Sequence, residues 1–148
     1  MYKLNRFMNS CKPWELYKKV LPQHSDHAGV MWHGTYLNWL EESRIYSFEN
    51  AGLQYIELLR RGFEMPVYKI EIKYLKPILI GQEIIIKSSF NIDKGPRIKV
   101  NSTFINLQNQ IHTEASMDII LINKKTFKAV RKRPDFLENY LNNLRKGP

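Results

Sequence analysis

The sequence is poor in the features that mark secreted, zinc-stabilised or membrane-spanning proteins. Its 148 residues include one cysteine, Cys11, which excludes an internal disulfide bond and offers no cysteine pair to a zinc module. No stretch approaches the ~18 consecutive apolar residues of a membrane span, and residues 1–10 lack the apolar run of a secretory signal. We therefore expect a cytoplasmic protein, because a single thiol suits a reducing compartment.

Acidic residues are also scarce. The 14 acidic residues against 23 Lys and Arg give a formal net charge of +9, which is compatible with nucleic acid, an anionic membrane surface or a phosphate-rich small molecule as partner. Nucleic-acid binding favours aromatic side chains interleaved with basic ones, whereas the aromatic residues here fall mainly at predicted core positions. We expect no nucleic-acid and no membrane partner, and the basic residues near positions 93–97 favour a compact polyphosphate ligand.

The length is that of one domain with one hydrophobic core. Residues 1–148 are therefore predicted to form a single domain, with an N-terminal arm at 1–13 and a short strand at 14–21. The longest helical pattern begins at Gly34 and Thr35 and stops at residues 50–52, and the Thr35 hydroxyl is the predicted acceptor for amides of the first turn. Apolar residues surround this helix so widely that we expect little of it to face water. A second, short helix is predicted at 54–61.

Beyond Pro66 the apolar period changes from the helical value to two, which indicates strands. The first of these strands is predicted to bury one face, formed by Tyr68, Ile70, Ile72 and Tyr74. Residues 83–92, 97–106 and 111–123 predict three long strands joined by short turns, an antiparallel meander, and Pro134 begins a C-terminal amphipathic helix. The predicted fold class is α+β, with a long central helix wrapped by an antiparallel β-sheet.

The most informative stretch is the loop before the long helix, where Asp26, His27 and His33 fall within eight residues. An aspartate in such a loop most often forms a turn or caps a helix. Two neighbours favour a catalytic use of Asp26. Gly29 permits close approach of the backbone to a ligand, and the amides at the helix start, near His33 and Gly34, can hold a developing oxyanion. A carboxylate facing an oxyanion site indicates acyl transfer or hydrolysis.

Histidine and aromatic residues around this loop leave alternatives open. His24, His27 and His33 could join Asp26 at a metal ion, but their spacing matches no zinc signature and no cysteine contributes. We therefore expect no metal and no other cofactor, and we expect His33 to orient substrate or water. Three aromatic side chains could either line a flat acyl slot or belong to the core, namely Trp32, Tyr36 and Trp39.

The same residues carry a resemblance to a known family. The run from Asp26 through Gly29 to His33, followed by Tyr36 and Trp39, resembles the signature of the hotdog-fold acyl-CoA thioesterases of the 4-hydroxybenzoyl-CoA thioesterase type. That signature reads Asp-x-x-Gly-(Val/Ile)-x-x-(His/Tyr)-x-x-Tyr-x-x-(Trp/Tyr), and the order of predicted elements agrees with the family over residues 14–144. One departure is His24, since many relatives have a second acidic residue there.

The resemblance implies roles for individual residues. Asp26 would be the catalytic nucleophile or general base, and the backbone amide of His33 would polarise the thioester carbonyl. Substrate-binding positions would be Gly29, Trp32, Gly34, Tyr36 and Trp39, and the nucleotide end of coenzyme A would bind Lys94, Arg97 and Lys99.

The resemblance also implies an oligomer and a substrate class. Such proteins form dimers whose sheets join and often dimers of dimers, with active sites at the dimer interface. Short, aromatic-rich members include the 1,4-dihydroxy-2-naphthoyl-CoA hydrolases of phylloquinone biosynthesis, which this chain resembles, so an aromatic acyl-CoA is the expected substrate. The alternatives are a non-catalytic module that binds acyl-CoA or acyl carrier, or a dehydratase-like hotdog module. A nucleic-acid-binding protein would rest on charge alone.

Overall fold

The computed structural model describes residues 11–148, so most of the predicted 1–13 arm lies outside the described residues. The helices are α1 (His33–Asn50), α2 (Tyr55–Arg60) and α3 (Asp135–Lys146). The strands are β1 (Trp14–Lys19), β2 (Phe63–Glu64), β3 (Val67–Tyr74), β4 (Glu83–Ile92), β5 (Arg97–Asn106), β6 (Ile111–Ile120) and β7 (Ile122–Asn123). The predicted helices and the three-stranded meander are confirmed to within a few residues.

Five strands form one antiparallel sheet in the order β1-β4-β5-β6-β3, while β2 pairs with β7 in a small second ladder. The long helix α1 packs on the β1 and β4 side of this sheet. The class is α+β, as predicted. Within residues 11–148 no helix is both long enough and apolar enough to cross a membrane.

The core lies between α1 and the inner face of the sheet. Alternate residues of β4, β5 and β6 point toward the helix and are buried, as the period-two pattern predicts. On the helix side the large buried apolar residues are Tyr36, Trp39, Leu40 and Phe48.

A chain of hydroxyl groups crosses the centre of this core. The hydroxyls of Ser43 in α1 and Ser88 in β4 lie 2.9 Å apart, and those of Ser88 and Ser102 in β5 lie 2.7 Å apart. All three side chains are buried. Because serine is small, the helix approaches the sheet closely here, and because each hydroxyl has a partner, the buried polar atoms are satisfied.

Two predictions about burial are wrong. In β3, Tyr68 is 50% and Tyr74 55% exposed, and Ile72 is partly buried against the core. The reason is that β3 forms an edge of the sheet, on the side away from the part that α1 covers. In α1 the sheet covers one side only, so Leu37 is 45% and Tyr46 39% exposed.

The predicted strand at 111–123 is interrupted. The ladder with β5 ends at Leu121: its amide still donates to the Pro96 carbonyl at 2.8 Å, but proline has no N–H to donate in return, and the Leu121 carbonyl instead accepts from the Val130 amide at 2.9 Å. The chain then pairs with β2 through β7 instead of continuing along β5. This break separates the long strand into β6 and β7.

Candidate active site

The loop between β1 and α1 is held in shape by its own backbone and by the Asp26 carboxylate. Oδ1 of Asp26 accepts hydrogen bonds from the amides of Ala28 at 2.8 Å and Val30 at 3.3 Å, and the Asp26 amide donates to the Val30 carbonyl at 2.8 Å. Gly29 has a φ of +75°, a left-handed conformation that glycine adopts without strain. Asp26 therefore forms a turn, and the turn fixes the direction of a carboxylate that is exposed.

The start of α1 offers hydrogen-bond donors that have no acceptor. Within residues 11–148 the amides of His33 and Gly34 donate to no protein group, whereas the Thr35 amide donates to the Trp32 carbonyl at 2.9 Å. The N-terminal end of a helix carries partial positive charge, and its first amides bind anions. Two donors are therefore available for an oxyanion.

The predicted cap by Thr35 is wrong. Thr35 is the third helical residue and is buried, and its hydroxyl donates to the His24 carbonyl at 3.0 Å. The N-cap position is occupied by Trp32, whose side chain makes no capping hydrogen bond. The absence of a cap is what leaves the first amides of α1 without a partner.

Asp26 and His33 line the same cleft, which has a volume of about 460 Å³. One wall is formed by the loop and the first turn of α1, where Tyr36 joins His33. The other wall is the segment 74–77, which starts at the last residue of β3, and it contributes Lys76. The structure thus brings together a carboxylate, a helix start and a tyrosine in one cavity, with a lysine opposite them.

A depression of similar volume, about 470 Å³, lies on the outer face of the sheet. Its charged residues include Glu71, which pairs with Lys69 at 3.1 Å, and Lys87, which pairs with Glu15 at 3.2 Å. It contains neither the turn at Asp26 nor a helix N-terminus. The chemistry therefore favours the cleft at Asp26.

Tyr36 lies at the buried side of the cleft and is 3% exposed. Its ring packs edge-on against Tyr74, with 4.9 Å between ring centroids, and against Phe104 at 5.5 Å. The pKa of the Tyr36 phenol is raised above its ordinary value because the side chain is buried, and the nearby Thr113 hydroxyl offsets part of this increase. The phenol is therefore a neutral hydrogen-bond donor at neutral pH. The fully buried Thr113 hydroxyl is close enough to influence Tyr36, but among residues 11–148 it makes no well-formed hydrogen bond.

The other predicted aromatic residues do not line the cleft. Trp39 is 1% exposed and packs between His24, at 5.3 Å between ring centroids, and Phe104, at 6.4 Å, a position that favours the core alternative. Trp32 is 49% exposed and folds over Gly34, where an added Cβ atom would overlap the indole ring. Gly34 therefore makes room for the indole beside the helix start.

The predicted coenzyme A cluster lies at the far end of the sheet from the cleft of the same chain. Arg97 begins β5 and stacks over Tyr68 at 5.9 Å, and Lys99 lies 3.7 Å from Asp118. The cleft is beside Phe104, which is about 23 Å farther along the strand at ~3.3 Å per residue. Within one chain, Lys94, Arg97 and Lys99 are therefore not brought to Asp26.

Metal-ligand geometry does not form around the loop. Among residues 11–148 no group of three or more His, Cys, Asp or Glu side chains could hold a metal ion. Nδ1 of His24 accepts a hydrogen bond from the Leu21 amide at 3.1 Å, which gives this histidine a role in the loop. His27 is exposed.

Tyr74 and Lys76 line the cleft although no local sequence pattern marks them as site residues. Tyr74 belongs to the period-two pattern of a strand, and Lys76 to the connection after it. Their position depends on the pairing of Tyr74 with Thr113 in β6, a contact between distant parts of the chain. The signal that could find them is the strand register and not the composition of the segment.

Comparison with protein families matches residues 20–141 to the model of the thioesterase-like superfamily. The chain belongs to this superfamily. The match spans the loop, α1, the whole meander and most of α3, so the cleft lies inside the matched region.

Two curated relatives of this thioesterase-like chain are similar over most of their length. A Synechocystis protein that is provisionally named an esterase is 28% identical over 135 residues, which cover 90% of this chain and 81% of the relative. A Bacillus subtilis protein provisionally named an acyl-CoA thioesterase is 25% identical over 112 residues, covering 76% of this chain and 81% of the relative.

Solved structures share the fold. The DHNA-CoA thioesterase from Staphylococcus aureus superposes with a TM-score of 0.78 at 24% identity, covering 86% of this chain and 88% of the other. The Staphylococcus aureus protein SAV2348, solved in complex with CoA, superposes with a TM-score of 0.82 at 13% identity, covering 93% and 87%. The predicted hotdog fold is confirmed by these superpositions.

Proposed function

We propose that the protein is an acyl-CoA thioesterase whose active site is the cleft between the 26–36 segment and the 74–77 segment. The observation that carries this proposal is the cleft itself. In a chain of the thioesterase-like superfamily, it combines the turn-fixed carboxylate of Asp26 with two helix-start amides that lack acceptors.

The chemistry follows from these groups. The thioester carbonyl oxygen accepts hydrogen bonds from the amides of His33 and Gly34, which stabilise the negative charge that develops on it. Asp26 either attacks the carbonyl carbon, giving a mixed anhydride that water then hydrolyses, or removes a proton from an attacking water. In both routes the carbon–sulfur bond breaks, coenzyme A leaves as the thiolate and takes up a proton, and the free acid remains.

An aromatic acyl group fits the lining of the cleft. Tyr36 and Tyr74 present two rings in edge-on contact, and aromatic rings pack well against such pairs. Structures of the same fold include proteins named as 1,4-dihydroxy-2-naphthoyl-CoA thioesterases from Staphylococcus aureus and Synechocystis. Our substrate proposal is therefore an aromatic acyl-CoA of this kind, used in phylloquinone biosynthesis. The exposed single thiol of Cys11 suits a cytoplasmic location.

We assign the exposed edge strand β3 a role in binding the coenzyme A end of the substrate, through the pairing of two copies of the chain. An antiparallel pairing of β3 with β3 of a second copy would join the two sheets and satisfy the backbone groups of this edge. It would also place the Val67 end of one strand beside the Tyr74 end of the other. The cluster Lys94, Arg97 and Lys99 of one copy would then approach the cleft of its neighbour, where it can bind the phosphates of coenzyme A.

A complementation experiment tests this arrangement. Asp26→Asn and Arg97→Glu chains are each expected to be inactive as homodimers. In a refolded equimolar mixture, half of the dimers contain one chain of each kind. One of the two sites in such a dimer is intact, because it combines Asp26 of one chain with Arg97 of the other. The mixture should regain about a quarter of the wild-type turnover. A mixture that stays inactive while forming dimers contradicts the shared site. We also propose that two such dimers associate into a dimer of dimers, and light scattering on the wild type distinguishes this assembly from a dimer.

The function itself is tested by thiol release from a panel of aromatic and aliphatic acyl-CoAs. Asparagine retains the Oδ1 acceptor for the loop amides, so Asp26→Asn should keep the turn and lose the carboxylate. We expect a loss of at least ~100-fold in turnover with binding retained. Glu49→Gln, which changes an exposed carboxylate in the last turn of α1 to an amide, is the matched control. Wild-type turnover in Asp26→Asn, or no turnover of any thioester by the wild type, would instead favour a non-catalytic acyl-binding module.

A further inference from the structure

The turn formed by residues 123–128, which follows β7, presents an apolar side chain from a strained backbone. Phe127 is 74% exposed, the largest exposed fraction of any large hydrophobic side chain within residues 11–148. Its φ is +55°, a left-handed conformation that is unfavourable for a bulky residue and that glycine normally supplies. Neither the exposure nor the conformation of Phe127 helps the isolated chain to fold.

The 123–128 turn is nevertheless well defined. Oδ1 of Asn123 accepts hydrogen bonds from the amides of Lys125 at 2.9 Å and Thr126 at 3.1 Å. The Phe127 amide donates to the Asn123 carbonyl at 2.8 Å, and the Asn123 amide donates to the Lys128 carbonyl at 2.9 Å. These bonds fix the backbone of the turn, so the Phe127 side chain projects from a defined position.

Basic residues flank Phe127 in the sequence on both sides. Lys124, Lys125 and Lys128 are exposed, and none of them has a carboxylate within 4 Å among residues 11–148. Arg131 and Lys132 follow and are also exposed, and residues 119–134 contain no acidic residue. The turn therefore presents an exposed aromatic side chain among flanking exposed positive charges.

We propose that the 123–128 turn docks the protein on an anionic phospholipid surface. Phe127 would enter the interfacial layer of the bilayer, and the lysines would face the headgroup phosphates, an arrangement in which apolar burial and charge attraction add. A projecting side chain fits a deformable lipid surface directly, whereas a rigid acidic protein would need a pocket of matching shape. This proposal replaces the sequence-based expectation of no membrane partner.

The position of the turn leaves the cleft accessible. The Lys124 amide donates to the Gly62 carbonyl, beside the β2–β7 ladder. The cleft lies near Thr113, at the opposite end of β6. Docking through Phe127 therefore does not require acyl-CoA turnover, and its test is independent of the proposed enzyme activity.

The experiment is flotation of the full-length protein with vesicles of phosphatidylcholine, with and without phosphatidylglycerol. We expect binding to the anionic vesicles only. Phe127→Gly removes the ring and relaxes the backbone, so the partition coefficient should fall about tenfold or more while the thermal midpoint stays equal or rises. Lys125→Gln should lower the partition coefficient about fivefold.

Matched controls lie at other parts of the surface. Leu107→Ser removes an apolar side chain that is 53% exposed in the turn between β5 and β6, and Lys19→Gln removes an exposed charge at the end of β1. Both should bind vesicles as the wild type does. The proposal is overturned if the wild type does not float with anionic vesicles, or if Phe127→Gly floats equally well. It is also overturned if the wild type ignores vesicles and instead binds acyl carrier protein, a small acidic protein, through Phe127.

Discussion

Proline in place of His33 removes one of the two available amides and leaves the helix in place. Position 33 is the first residue of α1, where proline is favoured because its N–H is not needed by the helix and its fixed φ suits the first turn. Trp32, with φ −68° and ψ 141°, already has the extended conformation that a residue before proline adopts. His33→Pro should therefore change the free energy of unfolding by no more than about 0.5 kcal/mol.

The expected effect on catalysis is much larger. Removing one preorganised donor from an oxyanion site lowers kcat by about 10²–10³-fold, equivalent to about 2.7–4 kcal/mol of transition-state stabilisation. His33→Ala is the matched control, since it keeps the amide and removes the exposed imidazole. If the amide is the working group, the alanine variant keeps most of its turnover.

The assay is free-thiol release under single-turnover conditions, together with thermal unfolding followed by circular dichroism. Two outcomes would contradict a role for the His33 amide. Equal losses in His33→Pro and His33→Ala would assign the role to the imidazole. Undiminished turnover in a correctly folded His33→Pro protein would show that the His33 amide does not contact the thioester oxygen.

Three further substitutions probe the cleft and the core. Gly34→Ala places a Cβ atom where the Trp32 indole now lies, so the tryptophan fluorescence emission should change. The free energy of unfolding should stay the same or rise by up to about 1 kcal/mol. An unchanged emission spectrum would contradict the contact between Gly34 and the indole. Burial raises the pKa of Tyr36 above its ordinary 10.0, so the folded state favours the neutral phenol. The resulting contribution to the free energy of unfolding is fully present below pH 10.0 and is lost as the pH rises through the pKa of the folded state. Tyr36→Phe should remove that fall, which urea unfolding on either side of pH 10.0 measures. Ser88→Ala leaves the Ser43 and Ser102 hydroxyls without their shared partner and should lower the free energy of unfolding by about 1–3 kcal/mol. Replacing all three serines by alanine should recover part of this loss, because no unpaired hydroxyl then remains.

Local patterns were sufficient for most elements of the fold. The period-two runs from Glu83 onward predict β4, β5 and β6 because each has one face on the core, which makes the pattern strong. The same rule fails for β3, since a strand at an uncovered edge keeps its apolar residues without burying them. Which strands lie at the edges depends on long-range pairing, and a single sequence does not contain that information in local form.

The candidate site also contains one part that local sequence predicts and one part that depends on long-range pairing. Asp26, Gly29, His33 and Gly34 are close in sequence, so their proximity follows from one loop and one helix start. The opposite wall at Tyr74 and Lys76 could not be predicted, because it reaches the cleft through the pairing of β3 with β6. Thr35 shows a different limit, since a residue that is typical of helix caps instead bonds to the loop carbonyl of His24.

The strand order also sets the order of assembly. The meander of β4, β5 and β6 closes through short turns and needs little loss of chain entropy, whereas β1 must find β4 across a loop that contains all of α1 and α2. We therefore expect the β4–β6 hairpins to nucleate folding and the docking of β1 to be a late event. Because the Asp26 loop directly follows β1, amides of this loop should exchange with solvent faster than those of the meander, and catalytic competence should appear only in the last kinetic phase of refolding.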